Sequence, residues 1–162
     1  IIETNEWTVE AIHTPGHTSN HICYSLAEED VLFSGDHVMG WSTTVIVPPD
    51  GDMNDYINSL KKLLKRSENN FYPTHGPIIE RPKELVAKYI EHRMEREKQI
   101  TEAIKLGNKK IPDMVKIIYK DVDISLHPAA AMSTLAHLIR MKENNEIAVS
   151  GNNLNGTYEL VD

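Results

Sequence analysis

The chain has 162 residues, 40% of them hydrophobic, a formal net charge of −7 and a single cysteine, Cys23. That length and apolar content suit one ordinary domain or two small ones. The lone cysteine excludes an internal disulfide and suits a reducing, cytoplasmic compartment, and no apolar run approaches the roughly 20 residues that span a bilayer.

In chain order, IIETNEWTVE (residues 1–10) reads as strand from the outset. This predicts a chain that begins inside a domain, where a missing targeting signal carries no information. Trp7, Val9 and Ala11 alternate with Thr8, Glu10 and Ile12 in a short strand that ends at His13. HTPGHTSNH follows at residues 13–21, with His13, His17 and His21 four residues apart. On a helix they would share one face, but Pro15-Gly16 opposes a helix, so the histidines are expected on a loop between strands. HICYSL (21–26), AEED and VLFSGD (31–36) read as strand, turn and a second strand stopping at Gly35-Asp36. VIVPPD (45–50) is an apolar run closed by two prolines. Asp52 and Asp55 then frame a helix start, with Met53, Tyr56, Ile57, Leu60, Leu63 and Leu64 at helical spacing. NNFYPTHGP (69–77) reads as a turn, a brief strand and a loop that holds His75.

From Pro82 the pattern changes. Residues 82–106 predict a long helix with a charged middle, EHRMEREK, and a stop at Gly107-Asn108. IPDMVKIIY (111–119) predicts a short helix, residues 127–145 a longer one, and residues 146–161 two strands around a Gly/Asn-rich turn. Three helices and a hairpin follow the order of a winged-helix domain. Residues 1–82 hold 5 Lys+Arg against 12 Asp+Glu, whereas residues 83–162 hold 12 of each. Neither part has the basic footprint of a phosphate-backbone binder. The acidic first part reads either as a solvated surface or as a site whose carboxylates are balanced by a cation outside the count.

His17, Asp36 and His75 each follow a turn or strand end, where a rigid sheet positions exposed loop side chains. Imidazole and carboxylate are ligand types of a catalytic Zn²⁺, and the glycines beside Asp36 and His75 permit sharp turns. His13 and His21 read as loop-orienting hydrogen-bonders, His37 as incidental, His92 as part of a solvated face, and His127 and His137 as helix-end or core residues.

HTPGHT, SGD and THGP, in that order, resemble the third, fourth and fifth motifs of the metallo-β-lactamase superfamily. The likeness covers roughly residues 5–80, and is greatest to glyoxalase-II-like hydrolases and the β-lactamase-like endoribonuclease group, which also carries a C-terminal winged helix. The resemblance implies an α+β fold: the C-terminal half of an αβ/βα sandwich over residues 1–81, then a winged-helix domain over residues 82–162. It implies a metal-dependent hydrolase in which a metal-bridging hydroxide attacks an ester, thioester or phosphodiester. His17 would be a ligand of the first metal, His75 of the second, and Asp36 the bridge. Two Zn²⁺ ions are expected, with iron or manganese as alternatives. The superfamily's His-x-His-x-Asp-His motif is absent, which predicts an incomplete chain that is inactive alone.

Small-molecule ester or thioester substrates, or RNA held by the missing half, are the partners implied; a membrane is not. The helix from Ala129 to Met141 offers Arg140 as its one fixed cation, with Lys142 just beyond, which speaks against duplex DNA. Its apolar surface is expected to pack on the hydrolase half or on a second subunit of a homo-oligomer. The alternative is a non-catalytic interaction or nucleic-acid-binding module built on the winged-helix region.

Overall fold

The structure, a computed structural model, describes residues 1–161. It is an α+β fold in two compact units, Ile1–Val45 with Pro49–Glu91, and Ile46–Pro48 with the chain from His92 onward.

The first unit is a five-stranded sheet in the order β1-β2-β3-β4-β5. Its strands are β1 (Ile2–Glu3), β2 (Thr8–His13), β3 (Ile22–Leu26), β4 (Val31–Gly35) and β5 (Asn70–Pro73). The first four pair antiparallel in chain order, whereas β5 pairs parallel to β4. A parallel pair requires a crossover, and helix α1 (Met53–Leu63) lies in it. As its sequence predicts, the Asp52 carboxylate caps α1 by accepting from the Asp55 N–H at 2.8 Å. Met53, Tyr56, Ile57, Leu60 and Leu63 form its buried stripe. The helix is tied to the loop after β2: Ser59 donates to the Pro15 carbonyl and Lys62 to that of His13. VIVPPD forms no strand, because its two prolines lack the N–H that a ladder needs.

Alternation along the strands buries one face of the sheet, with Ile12, Cys23, Ser25, Leu32, Ser34 and Phe71. The opposite face carries an aromatic row. Ala11 pairs with Tyr24, Tyr24 with Phe33, and Phe33 with Tyr72. These rings are 45%, 47% and 37% exposed, and Ile22 beside them is 39% exposed.

The second unit joins the C-terminal part of α2 (Pro82–Lys105) to α3 (Ile111–Ile118), α4 (His127–Glu143) and the hairpin β6 (Ile147–Ser150) and β7 (Thr157–Leu160). A 3-10 turn over Ile124–Leu126, which the sequence pattern did not predict, precedes α4. Ile100, Ile104, Ile111, Met114, Leu138 and Tyr158 are among the side chains of one shared core. Leu135 also lies in that core, with Met132 and Ile139 packed against it. The apolar surface of α4 is therefore accounted for within its own unit, and the expectation that it covers the hydrolase half or a second subunit is not needed to explain it.

The charged middle of α2 is not the uniformly solvated stretch its sequence suggests, although His92 itself is exposed. Arg93 and Glu97 are buried. The Glu97 carboxylate accepts from His137 Nδ1 at 3.1 Å and from the Arg140 guanidinium. A buried carboxylate needs such partners, since an unpaired charge in the interior costs several kcal/mol, roughly 3–5 when a buried pair is broken. No helix among the described residues is long and apolar enough to cross a membrane.

Two buried imidazoles give stability a pH dependence. His37 and His137 are each 0% exposed. Burial holds His137 below the usual imidazole range and pushes His37 down to about 3. An unfolded chain protonates them near pH ~6.5, so below that pH the unfolded state binds more protons and gains. Stability is expected to fall as pH drops from 7 to 5, by up to about 1.4 kcal/mol per pH unit for His37. Thermal unfolding across that range, compared with His37→Phe and His137→Leu, checks this. Each variant should flatten the slope, whatever its absolute Tm. A profile already flat in the unmodified chain would mean that both rings are charged when folded.

Candidate metal centre

Three loops at one end of the sheet supply the predicted site residues. His17 lies between β2 and β3, Asp36 follows β4, and His75 follows β5. Parallel pairing brings the ends of β4 and β5 side by side, where the Thr74 N–H donates to the Gly35 carbonyl at 3.1 Å. His75 sits in a loop closed by reciprocal 2.9 Å hydrogen bonds between Phe71 and Ile79. Gly35 and Gly76 both take positive φ, +56° and +94°. Those are backbone conformations that a side chain resists, so the glycines beside Asp36 and His75 do make the turns expected of them. At Gly35 a Cβ would also lie 2.6 Å from His21 Nε2.

The two imidazoles meet the one carboxylate. His17 Nε2 is 3.8 Å from Asp36 Oδ2, and His75 Nε2 is 3.4 Å from Asp36 Oδ1. Neither distance is a hydrogen bond, and Asp36 Oδ1 is a buried oxygen without a hydrogen-bond partner. On the far side of its ring, His17 Nδ1 lies 2.7 Å from the Val45 carbonyl, with the Thr44 hydroxyl at 3.1 Å. A carbonyl can only accept, so Nδ1 carries the proton, and in the neutral ring Nε2 keeps its lone pair facing Asp36. This is how metal-binding histidines are commonly oriented. An orphaned carboxylate oxygen between two imidazole nitrogens, one of them pinned as a lone-pair donor, fits a divalent cation. Among the described residues, however, no three or more His, Cys, Asp or Glu side chains are close enough together to hold a metal ion.

The neighbouring histidines take supporting places. His13 Nε2 pairs with the Ser19 carbonyl at 3.0 Å, and His21 Nδ1 with the Thr14 hydroxyl at 2.9 Å. Both are the loop-orienting bonds expected of them. Burial, followed by the adjacent His17, pushes His21 below the ordinary imidazole range. His37 is not incidental: it is fully buried, with its ring 4.8 Å from that of Tyr56 and 5.5 Å from that of His21. The β2–β3 loop is further tied by Asp50, which accepts from the Ser19 N–H and hydroxyl. Those bonds hold its carboxyl below the usual range.

Sequence reasoning missed the segment between Val38 and Val45, which no periodicity marks. It braces both histidines: Thr44 and Val45 hold His17, the Gly40 N–H donates to the His75 carbonyl at 2.9 Å, and the Trp41 indole stacks on the His75 ring.

Comparisons with known proteins agree with this architecture. Residues 2–75 match the model of the metallo-β-lactamase superfamily, and residues 111–152 that of the β-lactamase-associated winged-helix domain. The chain is 36% identical over 145 residues to a β-lactamase-like protein 2 homolog of Drosophila melanogaster, covering 88% of this chain and 48% of that protein. It is 34% identical over 120 residues to an atrochrysone carboxyl ACP thioesterase of Aspergillus chevalieri, covering 74% and 38%. A crystal structure of a metallo-β-lactamase family protein from Thermus thermophilus superposes with a TM-score of 0.81 at 20% identity, over 99% of this chain and 52% of the other. The chain thus spans about half or less of the length of the relatives it matches. With a sheet that gathers His17, Asp36 and His75 at one end, a three-helix-and-hairpin second unit, and a family model matching each part, the chain belongs to the metallo-β-lactamase superfamily.

Proposed function

We propose that the chain is the C-terminal part of a metal-dependent hydrolase acting on an ester, thioester or phosphodiester, and that His17, Asp36 and His75 are its share of the metal ligands. The observation that carries this reading is the pair of imidazole Nε2 atoms facing the two oxygens of one carboxylate. In this reading residues 1–81 are the partial catalytic domain and residues 82–162 the winged-helix domain.

Zn²⁺ held there, or iron or manganese, would polarise the scissile group and lower the pKa of water toward neutrality. The chain's own residues do the rest. His17, His75 and Asp36 would hold the metal, each imidazole Nε2 facing one oxygen of the carboxylate. The Val45 carbonyl fixes which His17 nitrogen is free. Lys62, which donates to the His13 carbonyl, anchors the loop that carries His17 to α1.

Two observations support an incomplete chain. The Tyr24–Phe33–Tyr72 row leaves one face of the sheet apolar and wet, an arrangement that usually marks an interface. Relatives carry about as much chain again, enough to supply a second layer and further ligands. In this reading the substrate is a small molecule or RNA, with the other half contributing to its binding.

Duplex DNA is not among the proposed partners. Of the two fixed cations of α4, Arg140 and Lys142, Arg140 is paired with Glu97. Fluorescence anisotropy of the chain with a duplex is expected to show weak binding with a shallow salt slope, since that slope counts the phosphates neutralised. Submicromolar affinity that collapses as salt rises would restore the nucleic-acid-binding alternative.

The metal reading has two tests. In the longer protein, Asp36→Ala should abolish turnover of a generic phosphodiester or thioester and lower the metal content, with the far-ultraviolet circular dichroism unchanged. Full activity in that variant defeats the assignment. The chain alone should take up Zn²⁺ weakly, because three donors shared between two ions leave each short of the usual four. Calorimetric titration measures this, and tight binding of two ions per chain would mean that further ligands lie within these residues.

A further inference from the structure

His75 is placed through backbone atoms on both sides of its loop. The Thr74 N–H donates to the Gly35 carbonyl, and the His75 carbonyl accepts from the Gly40 N–H at 2.9 Å. The Gly40 contact is backbone against backbone. A Cβ at Gly76 would lie 2.8 Å from the Gly40 Cα, and one at Gly40 2.4 Å from the Pro77 carbonyl oxygen. At such close approach a movement of Gly40 passes directly to the loop that carries His75. Gly40 is fixed in turn through the two residues before it. The Ser34 hydroxyl, on β4, donates to the Val38 carbonyl at 2.8 Å. The Tyr89 phenol, on α2, donates to the Met39 carbonyl at 2.7 Å. The first anchor belongs to the strand that delivers Asp36, whereas the second comes from a helix that supplies no residue to the metal centre.

Tyr89 is held as a fixed donor. It is 7% exposed and continues the buried stripe of Pro82 and Val86 along α2. Burial pushes its phenol up, so the hydroxyl keeps its proton at neutral pH. Nearer the start of the helix, side-chain packing on the loop is incomplete: Glu84, Leu85 and Lys88 line a crevice of about 220 Å³ with Gly40, Ile78 and Ile79. A directional bond at Met39 holds what packing beside Gly40 leaves loose. We propose that Tyr89 is a positioning residue of the metal centre: through the Met39 carbonyl it fixes Gly40, and through Gly40 the place of His75 opposite Asp36. The inference rests on the hydrolase reading for what His75 does, but the positioning is a property of the chain without metal. Residues that orient a metal ligand directly change metal affinity or activity by roughly 10–100-fold. Tyr89 acts one bond further out, so the lower end of that range, about tenfold, is expected.

Tyr89→Phe keeps the buried ring and removes the hydroxyl. Tyr158→Phe is the matched control, because that phenol also donates to a carbonyl, that of Asn153, within the second unit. In the chain itself, without metal, nuclear magnetic resonance follows the His75 ring and the Gly40 amide. Tyr89→Phe should shift the His75 ring resonances. It should also speed Gly40 amide exchange about fivefold relative to the β2–β3 ladder, the scale of one hydrogen bond. Tyr158→Phe should do neither. In the longer protein loaded with Zn²⁺, Tyr89→Phe should lower kcat about tenfold with KM unchanged, and release the metal to a chelator about tenfold faster. The visible spectrum of the Co²⁺-loaded protein should change as well, whereas Tyr158→Phe should leave all three as they are. Equal effects of the two variants, or a His75 ring unmoved by Tyr89→Phe, overturn the proposal, since Tyr89 would then serve the fold alone. A shifted His75 ring beside a fully active Asp36→Ala protein would uphold the positioning and remove only the hydrolase reading. An unmoved ring beside an inactive Asp36→Ala protein would remove only the role of Tyr89.

Discussion

Parallel strands cannot be joined by a tight turn, and the site depends on that constraint. Because β5 runs parallel to β4, their C-terminal ends lie together, so Asp36 and His75 leave the sheet at the same edge. An antiparallel β5 would have sent His75 to the other end. The crossover that makes the parallel pair contains α1, and α1 holds the loop that bears His17 through the Pro15 and His13 carbonyls. One pairing choice thus draws in all three residues. The 38–45 segment, also part of that crossover, passes over the result and bonds to both histidines.

Each unit also commits a carboxylate to its interior and surrounds it with donors. In the first, Glu68 is 5% exposed and accepts from Ser25 and from the Arg66 guanidinium, which reaches Glu10 as well. In the second, Glu97 collects His137 and Arg140. Neither Arg140 nor Arg66 is then free to meet a phosphate backbone. A charge count treats every arginine as available, but these ion pairs commit both within their own units.

Much of this was legible in the residues because local chemistry and tertiary structure agree. Asp52 and Asp55 mark the start of α1, Pro15-Gly16 keeps the histidine run out of a helix, and Gly107 closes α2, as their backbone preferences require. The strands of the sheet and the three-helix-and-hairpin order were readable from period alone. Three features were not. The role of residues 38–45 rests largely on the Gly40 N–H and the Val45 carbonyl, backbone groups that carry no sequence signal. The burial of His37 depends on Tyr56 and His21 closing around it. Glu97 and Arg93 look solvated among EHRMEREK, because a run of charges hides the two that turn inward.

The strand order has a kinetic corollary. The pairings β1–β2, β2–β3 and β3–β4 join neighbours in the chain and close small loops, whereas Val31 must find Asn70 across the whole of α1. Non-local contacts of this kind form late, after their loop entropy has been offset by local structure. β5 is also one of the two outermost strands, bridged on its other side from Phe71 to Ile79. The strand that delivers His75 is therefore expected to join the sheet after the three antiparallel pairings before it. The arrangement of His17, Asp36 and His75 therefore shares the lifetime of the β4–β5 pairing.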